Sequence, residues 1–117
     1  MLESLLAIAL VVLLGSAVAA AVWLPWDGLL LVGFGAVAVG LLVGLPTGLI
    51  YHLKLRACLL RTAVLPRRWW LRPTRLHDRL ADADRRPVLA WCYVGAAGFF
   101  VCLFGAAVIV LGLLAMW

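Results

Sequence analysis

The stretch KLRACLLRTAVLPRRWWLRPTRLHDRLADADRR, residues 54–86, contains all ten lysine and arginine residues of this 117-residue chain. The long apolar runs on either side of it contain no basic residue. A soluble protein distributes its charges over its surface, whereas positive charge confined to one loop between apolar runs is typical of a membrane protein. The stretch therefore predicts both the class of the protein and its orientation.

Three apolar runs are long enough to cross a bilayer as helices, since a hydrocarbon core of roughly 30 Å needs about 20 residues rising about 1.5 Å each. Hydrophobic residues make up 68% of the chain, which is more than soluble domains normally contain. We predict an all-α membrane protein with a single domain, residues 1–117. It is a bundle of three transmembrane helices, at about 5–24, 29–53 and 88–115, with a cytoplasmic amphipathic interfacial segment at 54–86.

The first apolar run is interpreted as a transmembrane helix rather than a signal peptide. Ala17-Val18-Ala19 is similar to a small-residue cleavage site. However, the residues before the run include Glu3 and no lysine or arginine, and the run is longer than the roughly 7–15 apolar residues of a signal peptide.

Loops rich in lysine and arginine stay in the cytoplasm, so we expect residues 54–86 and the N-terminus there and the C-terminus outside. The tryptophans give a second indication, because their amphipathic rings favour the two membrane interfaces. We expect an outer belt of Trp23, Trp26 and Trp117, and an inner belt of Trp69, Trp70 and Trp91. The Ala, Gly, Leu and Arg content favours a bacterial inner membrane as the location.

The sequence Leu24-Pro25-Trp26-Asp27-Gly28 predicts a tight turn that makes the first two helices an antiparallel hairpin. Pro25 presets the φ angle of the first turn position, and Asp27-Gly28 tolerates positive φ. Asp27 is also a candidate N-cap of the second helix.

Glycines are spaced as two packing seams, because small residues let membrane helices approach closely. Gly40, Gly44 and Gly48 recur every four residues on the second helix. Gly98, Gly105 and Gly112 recur every seven residues on the third helix, which keeps them on one side of a left-handed pair. Whether each seam packs within the chain or against another subunit is left open by the sequence.

The first part of the basic segment is expected to extend the second helix beyond the bilayer, over residues 54–65. Its leucines and Val64 would stay in apolar contact, and Pro66 would stop the extension. Upstream, Pro46 can kink the last membrane turn.

The second part is expected to form a short helix from Arg75 to about Ala83, capped by Thr74. Leu76, Leu80 and Ala83 would form its apolar side. Arg79 with Asp82, and Asp82 with Arg86, have the spacing of helical ion pairs. Asp84 or the Arg85-Arg86-Pro87 step would begin the third helix.

Arginines beside tryptophans suit the lipid interface, where the rings enter the headgroup boundary and the guanidinium groups meet phosphates. The alternative is that these charges have no binding role and only fix the topology of the chain in the membrane. No motif supports nucleic-acid binding. The candidate contacts to anionic lipid or to a partner are Lys54, Arg56, Arg61, Arg67, Arg68, Trp69, Trp70, Arg72 and Arg75.

No Asp, Glu, Lys or Arg lies deep in any predicted span, which argues against a pump or an antiporter. No phosphate-binding loop, nucleophile elbow or zinc-protease motif is present. We therefore expect no catalytic activity and no cofactor. His52 and His77 are the only candidates for haem or metal ligation, against a simpler interpretation as an interfacial and a solvated residue.

The three cysteines, Cys58, Cys92 and Cys102, form no CxxC or other metal-binding pattern. Buried cysteine behaves as a small apolar residue, and we interpret these three in that way.

These observations favour a small, non-catalytic accessory or assembly subunit of a larger membrane protein complex. Its expected partners are anionic membrane lipids and other membrane protein subunits. The competing hypothesis is a self-associating protein, such as a homo-oligomeric pore or carrier that uses the glycine stripe of the second helix. A third class is a haem-bearing or enzymatic membrane protein.

Overall fold

The computed structural model describes residues 1–62 and 65–117, and every regular element within these residues is a helix. Its elements are α1 (Leu2–Trp23), α2 (Trp26–Thr62), a 3₁₀ turn (Trp69–Leu71), a 3₁₀ helix (Pro73–Arg79) and α3 (Asp82–Ala115). The three α-helices are long enough and apolar enough to cross a membrane. The all-helical class and the three candidate spans predicted from the sequence are thus confirmed.

The helices extend beyond the predicted spans. The described part of α2 ends at Thr62, so its predicted extension past the apolar run is present to that residue. Val64, the last member of the predicted apolar row before Leu65, lies outside the described residues. The helix continues through Pro46.

The start of α3 differs from both predicted positions. The helix begins at Asp82, with Asp82 and Asp84 in its first turn, and Pro87 lies inside it. Carboxylates in a first turn are stabilised by the positive end of the helix dipole, which accounts for the earlier start.

The turn between α1 and α2 is only two residues long, Leu24 and Pro25. Leu24 is extended, with φ −108° and ψ 141°, as expected of a residue that precedes proline. No described residue has a positive φ, so the turn does not use the tolerance of Asp27-Gly28 for positive φ. Both residues already belong to the first turn of α2, and Asp27 is therefore not its N-cap.

The chain divides into two compact units, and the first comprises Met1–Leu42 and Gly98–Trp117. We call it the three-helix unit, because it contains segments of α1, α2 and α3. Its buried core consists of Ala17, Leu29 and Val108, one residue from each helix. The side chains that pack around this core are mainly small, which lets the three backbones approach closely.

In the three-helix unit, α2 and α3 pack antiparallel through glycines that are seven residues apart on each helix. A Cβ atom added at Gly33 would lie 2.9 Å from the carbonyl oxygen of Gly105. One added at Gly40 would lie 2.7 Å from the carbonyl oxygen of Gly98. One added at Gly112 would lie 3.2 Å from the carbonyl oxygen of Trp26. At Gly33 and Gly40 only glycine allows this approach, so these contacts fix the register of α2 and α3 within the three-helix unit.

The second unit comprises Val43–Ala97, and we call it the hairpin unit. Its core joins residues of α2 and α3 to Leu76 of the 3₁₀ helix and to Leu80, which directly follows that helix. Both leucines are 7% exposed, as the predicted apolar side of this segment requires. The buried set is Tyr51, Leu55, Cys58, Leu59, Leu76, Leu80 and Val88.

The form of the segment between α2 and α3 differs from the prediction. Its main helix is a 3₁₀ helix that begins at Pro73 and ends at Arg79. Thr74 lies within it and is not its cap, whereas Ala83 belongs to α3. Proline is well suited to the first helical position because its missing N–H would have no partner there.

Candidate functional site

The described ion pairs both lie in the hairpin unit. Arg61 on α2 lies 3.6 Å from Asp84 on α3, and Arg85 on α3 lies 3.0 Å from Asp78 on the 3₁₀ helix. The Asp84 side chain is 27% exposed and that of Asp78 is 90% exposed, so the carboxylate of the first pair is the better shielded from solvent. Both pairs join different elements: the first links α2 to α3 across the two ends of the segment, and the second links the 3₁₀ helix to α3.

These pairs replace those that helical spacing predicted. Arg79 ends the 3₁₀ helix and Asp82 begins α3, so they share no helix on which the pair could form. Neither Arg79 with Asp82 nor Asp82 with Arg86 is among the ion pairs of the described residues. The break at Leu80-Ala81 separates Arg79 from Asp82, whereas Asp82 and Arg86 share α3 and still form no ion pair among the described residues.

A side-chain hydrogen bond attaches the 3₁₀ helix to α2. The hydroxyl of Tyr51 lies 2.6 Å from Nε2 of His77, and the two rings meet edge to face. A phenol hydroxyl both donates and accepts, so the bond forms with either tautomer of the neutral imidazole. Because Leu76 beside it is buried, the bond and the apolar contact hold the same turn. His77 is therefore half-buried rather than the solvated residue that the sequence suggested.

Burial lowers the pKa of His77 below its usual value. Asp78 opposes this by raising the pKa, and Arg85 lowers it further. Desolvation is the largest of the three effects, so His77 is neutral near pH 7.

The other histidine, His52, faces a different set of groups. Its Nδ1 lies 2.8 Å from the carbonyl oxygen of Gly48, one helical turn earlier. Its ring lies 6.0 Å from that of Trp69 and 5.0 Å from that of Tyr51. Each histidine thus has one ring nitrogen engaged. In the part of the chain that the structure describes, no three His, Cys, Asp or Glu side chains are grouped to hold a metal ion.

The predicted lipid or partner contacts are nearly all exposed. Trp69 is the exception, because it is half-buried and packs against the core of the hairpin unit. Trp70 and Leu71, by contrast, are 59% and 53% exposed. The exposed members of the predicted set are Lys54, Arg56, Arg61, Arg67, Arg68, Trp70, Arg72 and Arg75. An exposed tryptophan and an exposed leucine among exposed arginines form an arrangement suited to a lipid interface.

The structure also locates the six predicted seam glycines. Those of α3 (Gly98, Gly105 and Gly112) are buried in the three-helix unit, as is Gly40 of α2. In the hairpin unit Gly44 is half-buried, and a Cβ at Gly48 would meet nothing within 4 Å.

Sequence reasoning missed Gly33, which is buried in the same contact as Gly40. The two are seven residues apart, the spacing already noted on α3, and that match was the available signal. The predicted four-residue stripe grouped Gly40 with Gly44 and Gly48 instead of with Gly33.

The cysteines differ in their surroundings. Cys58 is buried, and Nη2 of Arg61 donates to its sulfur at 3.4 Å. Cys102 is half-buried in the three-helix unit, where its Sγ lies 3.7 Å from the carbonyl oxygen of Val37. Cys92 is half-buried at the margin of the hairpin core.

A recess of about 200 Å³ opens between α2 and α3 in the hairpin unit. Lys54 and Arg61 stand at its edge, and Asp84 also lines it. The remaining lining is Ala57, Cys58, Pro87 and Val88. We call it the basic recess. It combines an apolar floor with two cations, and sequence spacing alone did not distinguish it from the other basic positions.

No protein-family model matches this chain, and comparison with characterised proteins and with solved structures found no match either.

Proposed function

We propose that this chain is a non-catalytic accessory subunit of a larger membrane protein complex. Its three helices would cross the membrane, with residues 54–86 in the cytoplasm and the C-terminus outside. The partner would contact the outward apolar faces of the helices, and the basic segment would lie at the lipid interface.

The observation that carries the proposal is how the chain uses its glycines. Gly33, Gly40, Gly98 and Gly105 are buried in contacts within the three-helix unit. The outward faces instead present large apolar side chains, for example Leu31, which is 77% exposed. Such faces supply van der Waals contact to lipid or to another membrane helix.

The same observation modifies the predicted docking surface. Glycines occupied within the chain are not available to a partner, so the contact would be made elsewhere. Gly15 on α1 and Gly35 on α2 are both exposed, and a Cβ at either would meet nothing within 4 Å. They are the positions at which a partner helix could approach this chain most closely.

The competing proposal of self-association through Gly40, Gly44 and Gly48 receives less support, because Gly40 already packs against Gly98 and Cys102. A homo-oligomer would have to use another face, and Gly35 tests it. Gly35→Leu adds bulk to an exposed position of α2 and leaves the buried contacts of Gly40 intact.

The test is purification of the tagged chain at native expression level in a mild detergent, with mass spectrometry of everything that accompanies it. An accessory subunit brings larger membrane proteins in stoichiometric amount, and Gly35→Leu or Gly15→Leu reduces them. Recovery of a defined homomultimer that Gly35→Leu dissociates would establish the competing function instead. A Soret band in the visible spectrum of the purified protein would establish the haem-bearing class.

A further inference from the structure

We infer that the basic recess binds the phosphate group of one anionic phospholipid. This inference rests on the proposed membrane location and names a specific site and ligand class within the basic segment.

The basic recess has room for a phosphate group. Its α2 wall consists of Lys54, Ala57, Cys58 and Arg61, whose spacing places them on one face of the helix. Cys58 and Val88 at its floor are 6% and 1% exposed, while Lys54 and Arg61 at its edge are exposed. The volume of about 200 Å³ is several times the share of one water molecule, about 30 Å³, so a phosphate group can enter.

The charged groups that line the basic recess suit a singly charged phosphate. Lys54 has no ion pair among the described residues, and Arg61 is held by Asp84 at 3.6 Å and by the Cys58 sulfur at 3.4 Å. Both of these contacts use Nη2 of Arg61. The guanidinium therefore keeps Nη1 and Nε for another acceptor, since it carries five N–H donors in all. With Asp84 included, the lining has one net positive charge, which a singly charged phosphodiester balances.

The basic recess lies where the apolar runs of α2 and α3 meet their charged parts. The apolar run of α2 ends at Leu53, immediately before Lys54, and the apolar run of α3 begins at Val88. The recess thus lies at the boundary between the apolar and the charged parts of both helices. In a bilayer that boundary is the headgroup level, where a cation near an anionic leaflet contributes roughly 1 kcal/mol. A lipid phosphate is delivered to this depth by its own acyl chains, whereas a soluble phosphate is not.

The test measures which lipid the full-length protein retains. The protein is reconstituted in nanodiscs that contain equal amounts of phosphatidylglycerol and phosphatidylcholine. It is then released gently, and the mass of the intact protein with its bound lipids is measured by native mass spectrometry. We expect one retained phosphatidylglycerol per chain. Lys54→Gln should reduce that retention about five-fold, the equivalent of one headgroup contact.

Arg86→Gln is the matched control, because Arg86 is an exposed cation on α3 that neither lines the recess nor belongs to the predicted lipid contacts. It should leave retention unchanged. Ala57→Leu fills the recess from an exposed position without changing its charge, and it should reduce retention as Lys54→Gln does. Helical circular dichroism and the melting temperature establish that each variant is folded.

Three outcomes would overturn the inference. Equal losses in Lys54→Gln and Arg86→Gln with none in Ala57→Leu would mean that only total charge matters. Equal retention of the two lipids would remove the preference for an anion. Displacement of the lipid by millimolar glycerol phosphate would assign the recess to a soluble ligand. Any of these three outcomes, obtained while the partner complex stays intact, overturns only the inference about the basic recess. Failure of the protein to reconstitute into nanodiscs contradicts the proposed membrane location itself.

Discussion

Alanine at Gly40 is expected to destabilise the protein, and alanine at Gly35 on the same helix is expected to stabilise it. A Cβ at Gly40 would lie 2.5 Å from the Cys102 sulfur, 2.7 Å from the carbonyl oxygen of Gly98 and 2.8 Å from the Cys102 nitrogen. Ordinary contacts begin at 3.4 Å, so the α3 backbone would have to move by about 0.7 Å. At Gly35 the same atom would meet nothing within 4 Å.

The magnitudes follow from two opposing effects. Replacing glycine by alanine inside a helix contributes roughly 0.5–1 kcal/mol at either position. Overpacking a tight contact costs typically about 1–3 kcal/mol, and more when backbone atoms are the neighbours. The net free energy of unfolding should therefore fall by about 1–2 kcal/mol for Gly40→Ala and rise by up to about 1 kcal/mol for Gly35→Ala.

The assay is unfolding by sodium dodecyl sulfate in mixed micelles, followed by tryptophan fluorescence and by far-ultraviolet circular dichroism. Gly105→Ala is a second variant of the same contact, since its Cβ would lie 2.6 Å from the carbonyl oxygen of Gly33. Equal stability of Gly40→Ala and Gly35→Ala would refute the reasoning, because the two differ in neighbours and not in helix propensity.

Further predictions concern the hairpin unit and the orientation. Tyr51→Phe removes the hydroxyl that is hydrogen-bonded to His77 and should lower the free energy of unfolding by about 1 kcal/mol. The loss should be measurable as faster amide hydrogen exchange around His77. Tyr93→Phe, at an exposed position, should have no effect. Because burial lowers the pKa of His77, the unfolded chain takes up this proton first, so stability should fall as pH decreases below about 6.5. Melting temperatures of His77→Gln should lack that decline, and an identical decline would exclude His77 as its source. Alkaline phosphatase fused after Trp117 should be active and after Arg72 inactive; the opposite pattern would reverse the proposed orientation.

The sequence was sufficient to predict the helical class and the three candidate spans, because length and apolar composition decide them. Residues 54–86 contain every basic residue, so the boundaries of the neighbouring apolar runs are sharp. The interfacial segment was predicted less well. An i, i+4 pattern favours an α-helix, but Pro73 and the break after Arg79 leave a 3₁₀ helix, and the ion pairs change with it.

The candidate site depended on information that a single sequence carries only weakly. Tyr51 and His77 are 26 residues apart, and nothing in their local pattern indicates that they bond. Likewise, Arg61 and Asp84 lie on different helices, and nothing in the local pattern of either helix indicates that they pair. Helical spacing predicts neighbours on one helix, whereas the register between helices decides which faces meet.

The close approach of α2 and α3 also implies a polar interaction that involves no polar side chain. Where a Cβ would lie 2.6 Å from the Gly33 carbonyl, Gly105 instead carries a hydrogen that points at that oxygen. The same holds for Gly40 facing the carbonyl of Gly98. Cα–H···O contacts of this kind are worth about 0.5–1 kcal/mol each, and they are directional. In lipid, where apolar contact hardly distinguishes one helix face from another, such directional contacts disfavour sliding of α2 along α3 and restrict its rotation.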